Sequence, residues 1–422
     1  MPFTKVVIIG GGFGGLNCAK SLSRAKIDLL LIDKTNHHLF QPLLYQVATA
    51  ALSPGEIGIP IREILRDQDN ASVIMGDVTN IDKKNKTLTL GNGDTITYDY
   101  LIIAIGARHS YFGNDQWETF APGLKTIQDA LKIREQVLIS FEKAERLDST
   151  AEAEKYLNFV VIGGGPTGVE MAGAIAEIAH KTMFRNFRKI RPERSKIYLV
   201  EAVPHILPVY PEKLGRRAEK DLEKMGVKVL TNKKVTEITK DGVQIEDLYI
   251  PCQNVIWAAG NQVSPLLQAL DVPLDRAGRA IVEPDLSIPG NPEIFVIGDA
   301  SSAKDKKGRP LPGIAPTAIQ QGHYVAKILR KKYSPEKRPP FKYLDKGSMA
   351  TIGTKKAIAV MGKLHLTGFI AWLAWCFIHI VYLIGFRNRF GVMVEWFYCF
   401  TTGQRGVRLI YRSIDKTLPP KS

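Results

Sequence analysis

Glycines spaced to hold a pyrophosphate stand near the start of the chain. Gly10, Gly12 and Gly15 form the pattern G-x-G-x-x-G between an apolar strand and a helical pattern, and Gly14 lies in the same turn. One glycine of this pattern permits a tight turn, the next lets the backbone approach a pyrophosphate, and the third lets the helix pack on the strand. Asp33 ends the next apolar strand, where a carboxylate can accept hydrogen bonds from ribose hydroxyls. These residues predict a dinucleotide site.

The same chemistry is repeated in the middle of the chain. Gly163, Gly165 and Gly168 form a second G-x-G-x-x-G, with Thr167 inside it, and Glu201 ends the following strand IYLVE. A carboxylate at that strand end pairs with an unphosphorylated ribose and repels a 2′-phosphate. Because no Lys or Arg follows Glu201 closely, the second site is expected to prefer NADH over NADPH.

The elements that position these residues are duplicated. KVVIIGGGFGG and NFVVIGGGPTG each run into a polar meander with a turn signal, Asn92-Gly93 in the first and Asp241-Gly242 in the second. Each meander leads to an apolar strand that stops at small residues. The small residues expected to line the dinucleotides at these strand ends are Ala104, Gly106, Ala259 and Gly260. The pattern predicts an α/β protein with two Rossmann-like dinucleotide-binding domains.

A third apolar strand, EIFVIG, leads into Asp299 and is expected to return to the first sheet, so that the second domain is inserted in the first. The predicted limits are residues 1–115 and 286–350 for the first domain and 116–285 for the second. Residues 351–422 are expected to form a C-terminal amphipathic segment that associates with a membrane. A basic stretch, residues 181–194, lies within the second domain.

Two nicotinamides could not usefully exchange a hydride, whereas a flavin takes two electrons from NADH and releases them singly or in pairs. One of the two sites is therefore expected to hold a flavin. The cysteines, Cys18, Cys252, Cys376 and Cys399, lie far apart and form no C-x-x-C pair. This pattern fits a reducing compartment and argues against disulfide reductase chemistry, a disulfide framework and a zinc or other metal site.

Several segments resemble the type II NADH dehydrogenases, within the flavoprotein reductases that carry two dinucleotide-binding domains. They are HHLFQPLLYQVATAALSPGEI, GGGPTGVEMAGAIAE, APTAIQQG and GTKKAIAVMGK, followed by an aromatic-rich C-terminus. The resemblance spans nearly the whole chain. It implies one non-covalent FAD in the N-terminal domain, NADH as donor, a membrane quinone as acceptor, no proton pumping, monotopic attachment to a membrane, and a homodimer.

The resemblance also assigns residue roles. It puts the Glu170 carboxylate near nicotinamide and flavin, and Gln320 and Gln321 at the quinone. It brings Gln41 and Gln46 close to the flavin. The four other roles it suggests are Asp299 on the ribityl chain of FAD, Pro42 in the flavin loop, and Lys355 and Lys356 near quinone or lipid.

Each of these roles has a plainer alternative. Glu170 could be a helix N-terminal acid, Asp299 a helix N-cap before Ser301, and the two glutamines ordinary helix-surface residues. The lysine pair could simply be solvated. From the residues alone, Pro316 and Thr317 favour a helix start whose N-terminus would stabilise a reduced, anionic flavin.

Most of the formal net charge of +15 falls in the last part of the chain, after Lys331. Between Lys363 and Arg387 an apolar run free of Asp, Glu, Lys and Arg is long enough to span a bilayer. Its aromatic residues are spread along the run, whereas spanning helices concentrate Trp and Tyr at their ends. A second apolar run, Val392–Phe400, precedes Arg405, Arg408 and Arg412. We therefore expect helices lying in the bilayer interface rather than a span of residues 364–386.

The beginning of the chain leaves no room for a secretory or transit signal, so the cytoplasmic face of the cell membrane is the expected location. Two other functions stay open. A sulfide:quinone oxidoreductase would need two cysteines, such as Cys252 and Cys376. An NADH-sensing flavoprotein would act through a partner bound to its basic tail, although interleaved aromatics fit lipid better than nucleic acid. The sequence does not show whether the quinone is ubiquinone or menaquinone. It also does not show whether NADH and quinone bind at the same time or one after the other.

Overall fold

The computed structural model describes residues 3–410, so Arg412 lies outside the described residues. Two compact units can be distinguished by their internal contacts. The first unit comprises Met1–Leu39, Gly58–Arg108 and Asn261–Lys346, and the second comprises Phe40–Ile57, His109–Gly260 and Gly347–Ser422.

A six-stranded sheet forms the core of the first unit. Its strands, in spatial order, are Ser287–Ile288, Asn291–Val296, Tyr100–Ile103, Thr4–Ile9, Ile27–Asp33 and Ala71–Met75. All neighbours are parallel except the first pair. The inner strands read as continuous apolar runs because parallel strands are buried on both faces. The pairing of Asn291–Val296 with Tyr100–Ile103 confirms that the third apolar strand returns to the first sheet.

The other elements of the first unit surround this sheet. Its α-helices are Phe13–Ser21, Ile61–Ile64 and Ala315–Lys331, and its 3₁₀ turns are Pro265–Leu270, Gly298–Ala300 and Pro335–Lys337. The antiparallel meander is Val78–Asp82, Thr87–Leu90 and Thr95–Thr97, and a further pair is His37–Leu39 with Gly58–Pro60. The short strand Asn261–Gln262 also belongs to the first unit, whereas in the short strand Arg108–His109 only Arg108 does.

The second unit is built on a four-stranded parallel sheet. Its strands, in spatial order, are Val227–Leu230, Lys196–Val200, Asn158–Ile162 and Asn254–Trp257. Two antiparallel sheets accompany it, Val235–Ile238, Gly242–Ile245 and Leu248–Pro251, and Ser348–Thr351, Ala357–Met361 and Leu364–Thr367. The repeated order of strand, glycine turn, helix, meander and strand confirms the predicted duplication.

Helices cover the sheets of the second unit. They are Leu44–Ala48, Pro54–Ile57, Ile127–Arg146, Thr150–Leu157, Pro166–Glu177, Glu212–Glu223, Gly368–Tyr382 and Phe386–Thr402. One π-helical turn, Ile178–Thr182, continues the helix Pro166–Glu177, and 3₁₀ turns lie at Gln41–Leu43, Asp115–Thr119 and Pro192–Arg194. The longest helix starts at a capping box, in which the Thr126 hydroxyl accepts from the Asp129 N–H and the Asp129 carboxylate accepts from the Thr126 N–H.

The apolar run between Lys363 and Arg387 is divided in the structure. Its first residues form the strand Leu364–Thr367, and the helix Gly368–Tyr382 that follows has only 15 residues. Among the described residues, no helix combines the length and the apolar character that crossing a membrane requires. The helix Phe386–Thr402 also starts six residues before the predicted second run.

The two C-terminal helices pack against each other and leave large apolar side chains outside. Trp375 is 2% exposed and lies 5.3 Å, between ring centroids, from Trp396. The turn between the helices is held by Arg389, whose guanidinium donates to the Leu383 and Val381 carbonyls. The side chains that stay most exposed are Ile370, Phe377, Phe386, Phe390 and Phe397.

Candidate active site

The first glycine turn has the shape that a pyrophosphate requires. Gly10 adopts a φ of +102°, and a Cβ there would lie 2.4 Å from the Ala104 carbonyl oxygen. A Cβ on Gly15 would lie 1.9 Å from the Gly10 carbonyl oxygen, so this glycine lets the helix sit on the strand. A Cβ on Gly12 would point into open space, just before the first turn of the helix Phe13–Ser21. The turn is therefore an open cradle at a helix N-terminus, which fits a dinucleotide phosphate.

Asp33 is held at the rim of this cradle. Its Oδ2 accepts a hydrogen bond from the Gly11 N–H at 2.6 Å, and its Oδ1 accepts from the N–H and hydroxyl of Thr35 at 2.7 and 2.8 Å. These bonds fix the half-buried carboxylate beside the glycine turn, where the sequence placed it. Thr35 is a partner that the sequence argument missed.

The second cradle repeats this arrangement. Gly163 has a φ of +109°, and a Cβ on Gly168 would lie 1.8 Å from the Gly163 carbonyl oxygen. A Cβ on Gly165 would again meet open space. Glu201 accepts from the Gly164 N–H at 2.5 Å and from the Val203 N–H at 3.0 Å. Both glycine turns, each with an acid at its rim, therefore fit the dinucleotides that the sequence assigned to them.

The other residues predicted to line the dinucleotides are distributed between the two units. Gly14 is buried where a Cβ would lie 3.2 Å from the Ile297 side chain, so helix packing accounts for its type. Thr167 is exposed in the first turn of its helix. Gly106 and Gly260 have φ values of +66° and +71°, and like Ala104 and Ala259 they follow the ends of the strands Tyr100–Ile103 and Asn254–Trp257. Their contacts with a cofactor stay predictions.

In the first unit, Asp299 and Gln321 belong to one small structure. The helix Ala315–Lys331 begins where the sequence predicted it, with Pro316 in its first turn. Gln321 is 1% exposed, and its Oε1 accepts from the Gly298 N–H at 2.6 Å, so it fixes the turn that carries Asp299. The alternative of Asp299 as a helix N-cap is wrong, because the chain continues from Ser301 in extended conformation.

Gln320 makes a two-point contact with the backbone. Its Nε2 donates to the Leu344 carbonyl and its Oε1 accepts from the Leu344 N–H, both at 2.9 Å. Its neighbour Gln321 is turned inward, so the amides of both residues bind protein groups in this structure. A quinone contact for either glutamine stays a prediction.

Glu170 lies in the second unit, in the second turn of the helix Pro166–Glu177 rather than in its first turn. It accepts a hydrogen bond from the Thr351 N–H at 3.4 Å. Burial raises the pKa of its carboxyl to about 8, against the lowering effect of the Thr351 N–H. The alternative of an acid at the helix N-terminus does not fit its place in the second turn, and a raised pKa favours the protonated carboxyl at neutral pH.

The side chain of Thr351, the residue whose backbone N–H contacts Glu170, begins a chain of hydrogen bonds that leads to the C-terminal helices. The Tyr45 hydroxyl lies 3.0 Å from the Thr351 hydroxyl, and the Gln46 Nε2 donates to the Tyr45 hydroxyl at 2.9 Å. Trp396 Nε1 in turn donates to the Gln46 Oε1 at 2.7 Å. Gln46 is thus a buried link between two elements, whereas Gln41 is exposed and donates to the Lys125 carbonyl at 3.2 Å.

A cavity of about 240 Å³ adjoins these hydrogen-bonded residues, and we call it the C-terminal cavity. It is lined by Tyr45, Gln46, Ala51, Ala174, Glu177, Lys181, Thr182, Gly353, Thr354, Lys355, Trp372, Trp375, Cys376, Trp396, Cys399, Phe400, Gly403, Gln404 and Arg405. Its wall of three tryptophans and a phenylalanine suits a flat, apolar ring. Lys355 stands at this wall with its Nζ 4.2 Å from the centroid of Phe400.

A buried ion pair closes one side of the C-terminal cavity. Arg405 donates to the Glu177 carboxylate at 3.0 Å and to the Thr49 carbonyl at 2.6 Å. The two side chains are 8% and 9% exposed. Thr354 donates to Glu177 from its N–H at 2.6 Å and from its hydroxyl at 3.1 Å, so the carboxylate is fully engaged.

The cysteines are all free thiols. Cys252 packs in the apolar core of the second meander, and Cys376 lines the C-terminal cavity. Burial raises the pKa of both thiols to about 12, which keeps them protonated and poorly nucleophilic. Across residues 3–410, no group of three or more His, Cys, Asp or Glu side chains is placed to hold a metal ion.

Sequence reasoning missed Tyr45, Thr351, Trp396 and Glu177. It named Arg405 only among the cations that follow the second apolar run, whereas the structure buries Arg405 against Glu177. Their residue types are ordinary, and only the tertiary fold brings residues so far apart in sequence together. Tyr45 and Glu177 had a signal, because they stand in the segments LLYQVA and GGGPTGVEMAGAIAE that resemble the family.

Comparisons with known proteins agree with this geometry. The family model of the pyridine nucleotide-disulphide oxidoreductases matches residues 4–322, and that of the NDH2 C-terminal domain matches residues 346–404. The chain superposes on a structure of NDH2 from Plasmodium falciparum in complex with NADH with a TM-score of 0.87. The two are 22% identical, and the match covers 96% of this chain and 99% of the other.

Similarity in sequence is higher to two proteins of Mycobacterium tuberculosis. The type II NADH:quinone oxidoreductase NdhA is 46% identical, over 98% of this chain and 92% of that protein. The type II NADH:quinone oxidoreductase Ndh is 45% identical, over 95% of this chain and 89% of that protein. The chain has two dinucleotide cradles, a C-terminal domain of the NDH2 type and this similarity over nearly its full length. It therefore belongs to the type II NADH:quinone oxidoreductases.

Proposed function

We propose that this protein oxidises NADH with a non-covalently bound FAD and reduces a membrane quinone to the quinol, without pumping protons. The family supports this reaction. The observation that carries it in the structure is the C-terminal cavity, an aromatic acceptor site in the unit that also holds the second dinucleotide cradle. FAD, when bound, supplies the redox chemistry by accepting two electrons from NADH and passing them to the quinone.

The chain's own residues bind and orient the two dinucleotides. Around Gly12 the first cradle takes the FAD pyrophosphate, and Asp33 accepts from a ribose hydroxyl of its adenosine half. Around Gly165 the second cradle takes the pyrophosphate of NADH, and Glu201 accepts from its adenosine ribose. A 2′-phosphate would meet the Glu201 carboxylate at close range, so NADPH is disfavoured.

Quinol formation needs two protons as well as two electrons, and Glu170 is suited to hold one of the protons. Burial raises the pKa of its carboxyl to about 8, and the carboxyl accepts from the Thr351 backbone N–H, while the Thr351 hydroxyl meets Tyr45 at the wall of the C-terminal cavity. Because Glu170 bonds to the Thr351 backbone N–H and not to the Thr351 hydroxyl, Glu170 is the proton donor of this proposal, and the bonds among Thr351, Tyr45 and Gln46 hold the wall of the cavity in place. Gln320 and Gln321 hold the loops that flank their helix, and their contact with quinone belongs to this proposal.

The apolar faces of the two C-terminal helices rest on a lipid bilayer, and the protein is a monotopic enzyme on the cytoplasmic face of the cell membrane. A homodimer is the proposed assembly. The proposed domain limits are those of the sequence, residues 1–115 with 286–350, 116–285, and 351–422.

Sulfide oxidation is the second candidate, and the cysteines argue against it. It would need two reactive thiols beside the flavin, whereas Cys252 is buried in a meander core apart from Cys376 and both have a raised pKa.

The test is oxidation of NADH by FAD-loaded protein in detergent, with and without a short-chain quinone. Quinone-dependent turnover with matching quinol formation is expected. If NADH bleaches the flavin but no quinone reoxidises it, NADH stands as the electron donor and quinone is ruled out as the acceptor. Tight NADH binding with negligible turnover would favour the NADH-sensing alternative, and flavin bleached by sulfide but not by NADH would favour the sulfide reaction.

A further inference from the structure

The basic loop, which we define as residues 181–194, interrupts the second unit between the glycine-turn helix and the strand Lys196–Val200. Its sequence, KTMFRNFRKIRPER, contains a single acid, Glu193. Its first two residues, Lys181 and Thr182, line the C-terminal cavity, and the proposed reaction gives the rest of the loop no role. Its exposed cationic side chains are Lys181, Arg185, Arg188, Lys189, Arg191 and Arg194.

The loop is firmly built from its inner side. The Phe187 ring stacks on Phe141 with 6.0 Å between centroids, and Ile190 is 8% exposed. The Glu145 carboxylate accepts from the backbone N–H groups of three successive loop residues, Arg188, Lys189 and Ile190, at 2.8 to 3.1 Å. Its cations are therefore presented by a fixed backbone and not by a loose tail.

Most of this charge is not neutralised within the protein. In the part of the chain that the structure describes, the loop's ion pair with a carboxylate is that of Lys189 with Asp148, at 2.6 Å. The guanidinium of Arg185 lies 5.1 Å from the centroid of the Phe184 ring, and that ring is 48% exposed. An exposed aromatic ring beside an arginine is suited to the boundary between headgroups and acyl chains.

The loop also continues the surface of the C-terminal helices. The Thr182 hydroxyl donates to the carbonyl of Gly403, the residue that ends the helix Phe386–Thr402, at 3.4 Å. Arg408 donates to the Thr182 carbonyl at 3.4 Å. That helix leaves Phe390 and Phe397 58% and 70% exposed. A cationic surface thus adjoins an apolar one within the same unit.

We propose that the basic loop is a second membrane contact, which binds the headgroups of anionic phospholipids while the C-terminal helices rest in the apolar boundary. This inference rests on the proposed membrane attachment and adds a preference for lipid charge. Lipid fits better than nucleic acid because an exposed phenylalanine and a continuous apolar helix surface accompany the cations, whereas a phosphate backbone would need charge alone.

The experiment measures flotation of the full-length, FAD-loaded protein with vesicles of phosphatidylcholine alone and of phosphatidylcholine mixed with phosphatidylglycerol, at low and high salt. The variant is Arg185→Gln/Arg191→Gln/Arg194→Gln, which spares Arg188 and the backbone contacts of Glu145. The matched control is Lys213→Gln/Lys220→Gln/Lys224→Gln, which removes as many exposed cations from another surface of the second unit. Flavin absorbance, thermal unfolding and turnover with a short-chain quinone in detergent are measured on every protein.

The arginine variant is expected to partition about ten- to a hundredfold more weakly onto anionic vesicles at low salt. It should behave like the wild type on neutral vesicles, and the lysine control should lose much less. Equal loss in both variants, or no loss in the arginine variant, would overturn the proposal. The proposal would also be overturned if the arginine variant lost binding to duplex DNA but kept binding to vesicles, because the loop would then bind nucleic acid. Turnover in detergent reports the proposed function separately, since failure there would appear in the wild type as well.

Discussion

A carboxyl group that keeps its proton at neutral pH can serve an acceptor that must become protonated, and Glu170 is such a group. Burial raises its pKa to about 8, so it loses the proton only in alkaline solution. We expect quinone-dependent turnover to fall above pH 8. Glu170→Gln should lower that turnover by about 10²-fold and remove the alkaline limb, while NADH still bleaches the flavin normally. Steady-state rates against pH and stopped-flow flavin absorbance measure the two halves of the reaction.

The same substitution has an effect on stability with a defined sign. Between pH 4.5 and about 8 the unfolded chain ionises at this position while the folded chain stays protonated, so the wild type loses stability as pH rises. Glu170→Gln does not have this loss. The midpoint of thermal unfolding of the variant, minus that of the wild type, should therefore increase from pH 5 to pH 8. Parallel curves for the two proteins would contradict a raised pKa.

Glu201 is expected to control the choice between NADH and NADPH. Its carboxylate is held on the second glycine turn by the Gly164 N–H, at the strand end where an adenosine ribose is bound in such cradles. Glu201→Ser removes the acceptor for the 2′-hydroxyl and the repulsion of a 2′-phosphate. We expect the ratio of kcat/KM for NADH to that for NADPH to fall about ten- to a hundredfold. The control is Asp33→Ser, which should weaken FAD retention and leave the ratio unchanged. Equal ratios in Glu201→Ser and wild type would show that Glu201 does not select NADH over NADPH.

For single residues, the sequence predicted the site correctly where backbone geometry dictates the residue type. The positive φ of Gly10 and Gly163 and the acids at both strand ends follow from a short pattern. The proton on Glu170 does not, because its pKa depends on burial by residues distant in sequence. The amides of Gln320 and Gln321 also could not be placed, since a glutamine forms the same hydrogen bonds with a loop backbone as with a ligand.

Among the elements, the first glycine-turn helix and the helix Ala315–Lys331 are locked together by glycines. A Cβ on Gly322 would lie 2.3 Å from the Gly14 carbonyl oxygen, and this backbone atom cannot move aside without the helix. We expect Gly322→Ala to lower the free energy of unfolding by about 1–3 kcal/mol and to weaken FAD retention. The control, Gly91→Ala, has its nearest neighbours at 3.7 Å and should be neutral. Unfolding by denaturant, with flavin release followed by fluorescence, compares the two variants.

The ion pair of Arg405 and Glu177 fastens the end of the C-terminal domain to the glycine-turn helix. Removing one partner leaves a buried charge, so Arg405→Met should cost about 3–5 kcal/mol of stability. The double variant Arg405→Met/Glu177→Met should cost less than the sum of the single variants. For comparison, Arg216→Met breaks an exposed pair with Glu212 and should change stability by less than about 0.5 kcal/mol. A double-mutant cycle from chemical unfolding would show additive costs if the pair were unimportant.

Element types were easier to infer than their limits. The apolar run after Lys363 predicted a membrane-facing segment, but its first residues pair with the strand Ala357–Met361, and this register cannot be read from hydrophobicity. The two turn signals also fall in different hairpins. Asn92-Gly93 joins the second and third strands of its meander, whereas Asp241 precedes the second strand of its own. Duplicated units thus keep their strands while their turns diverge.

For the whole molecule, the duplication and the return of the third strand to the first sheet were predictable, because each glycine fingerprint follows an apolar strand of its own. The C-terminal cavity was not predictable. It needs the loop of Tyr45, the end of the glycine-turn helix and both C-terminal helices, which are separated by hundreds of residues. The chemistry assigned to this chain therefore depends on local patterns for its donor side and on long-range packing for its acceptor side.

The proposed attachment through the C-terminal helices makes a prediction for the whole enzyme. Phe377, Phe386 and Phe397 are 70%, 85% and 70% exposed, so changing all three to Ser should not disturb packing. Each Phe buried in lipid contributes about 2 kcal/mol, and the variant should no longer float with neutral vesicles. Turnover with a short-chain quinone in detergent should persist, whereas turnover with a long-chain quinone in vesicles should collapse.

The matched control changes three apolar residues that are equally exposed elsewhere. Val209, Leu344 and Met75 are 77%, 67% and 65% exposed, and their change to Ser should leave flotation and both rates as in the wild type. A phenylalanine variant that still floats and still reduces long-chain quinone in vesicles would show that these helices do not carry the attachment. If both rates fell together, the helices would be needed for the acceptor site itself, because the short-chain quinone needs no membrane to reach the C-terminal cavity.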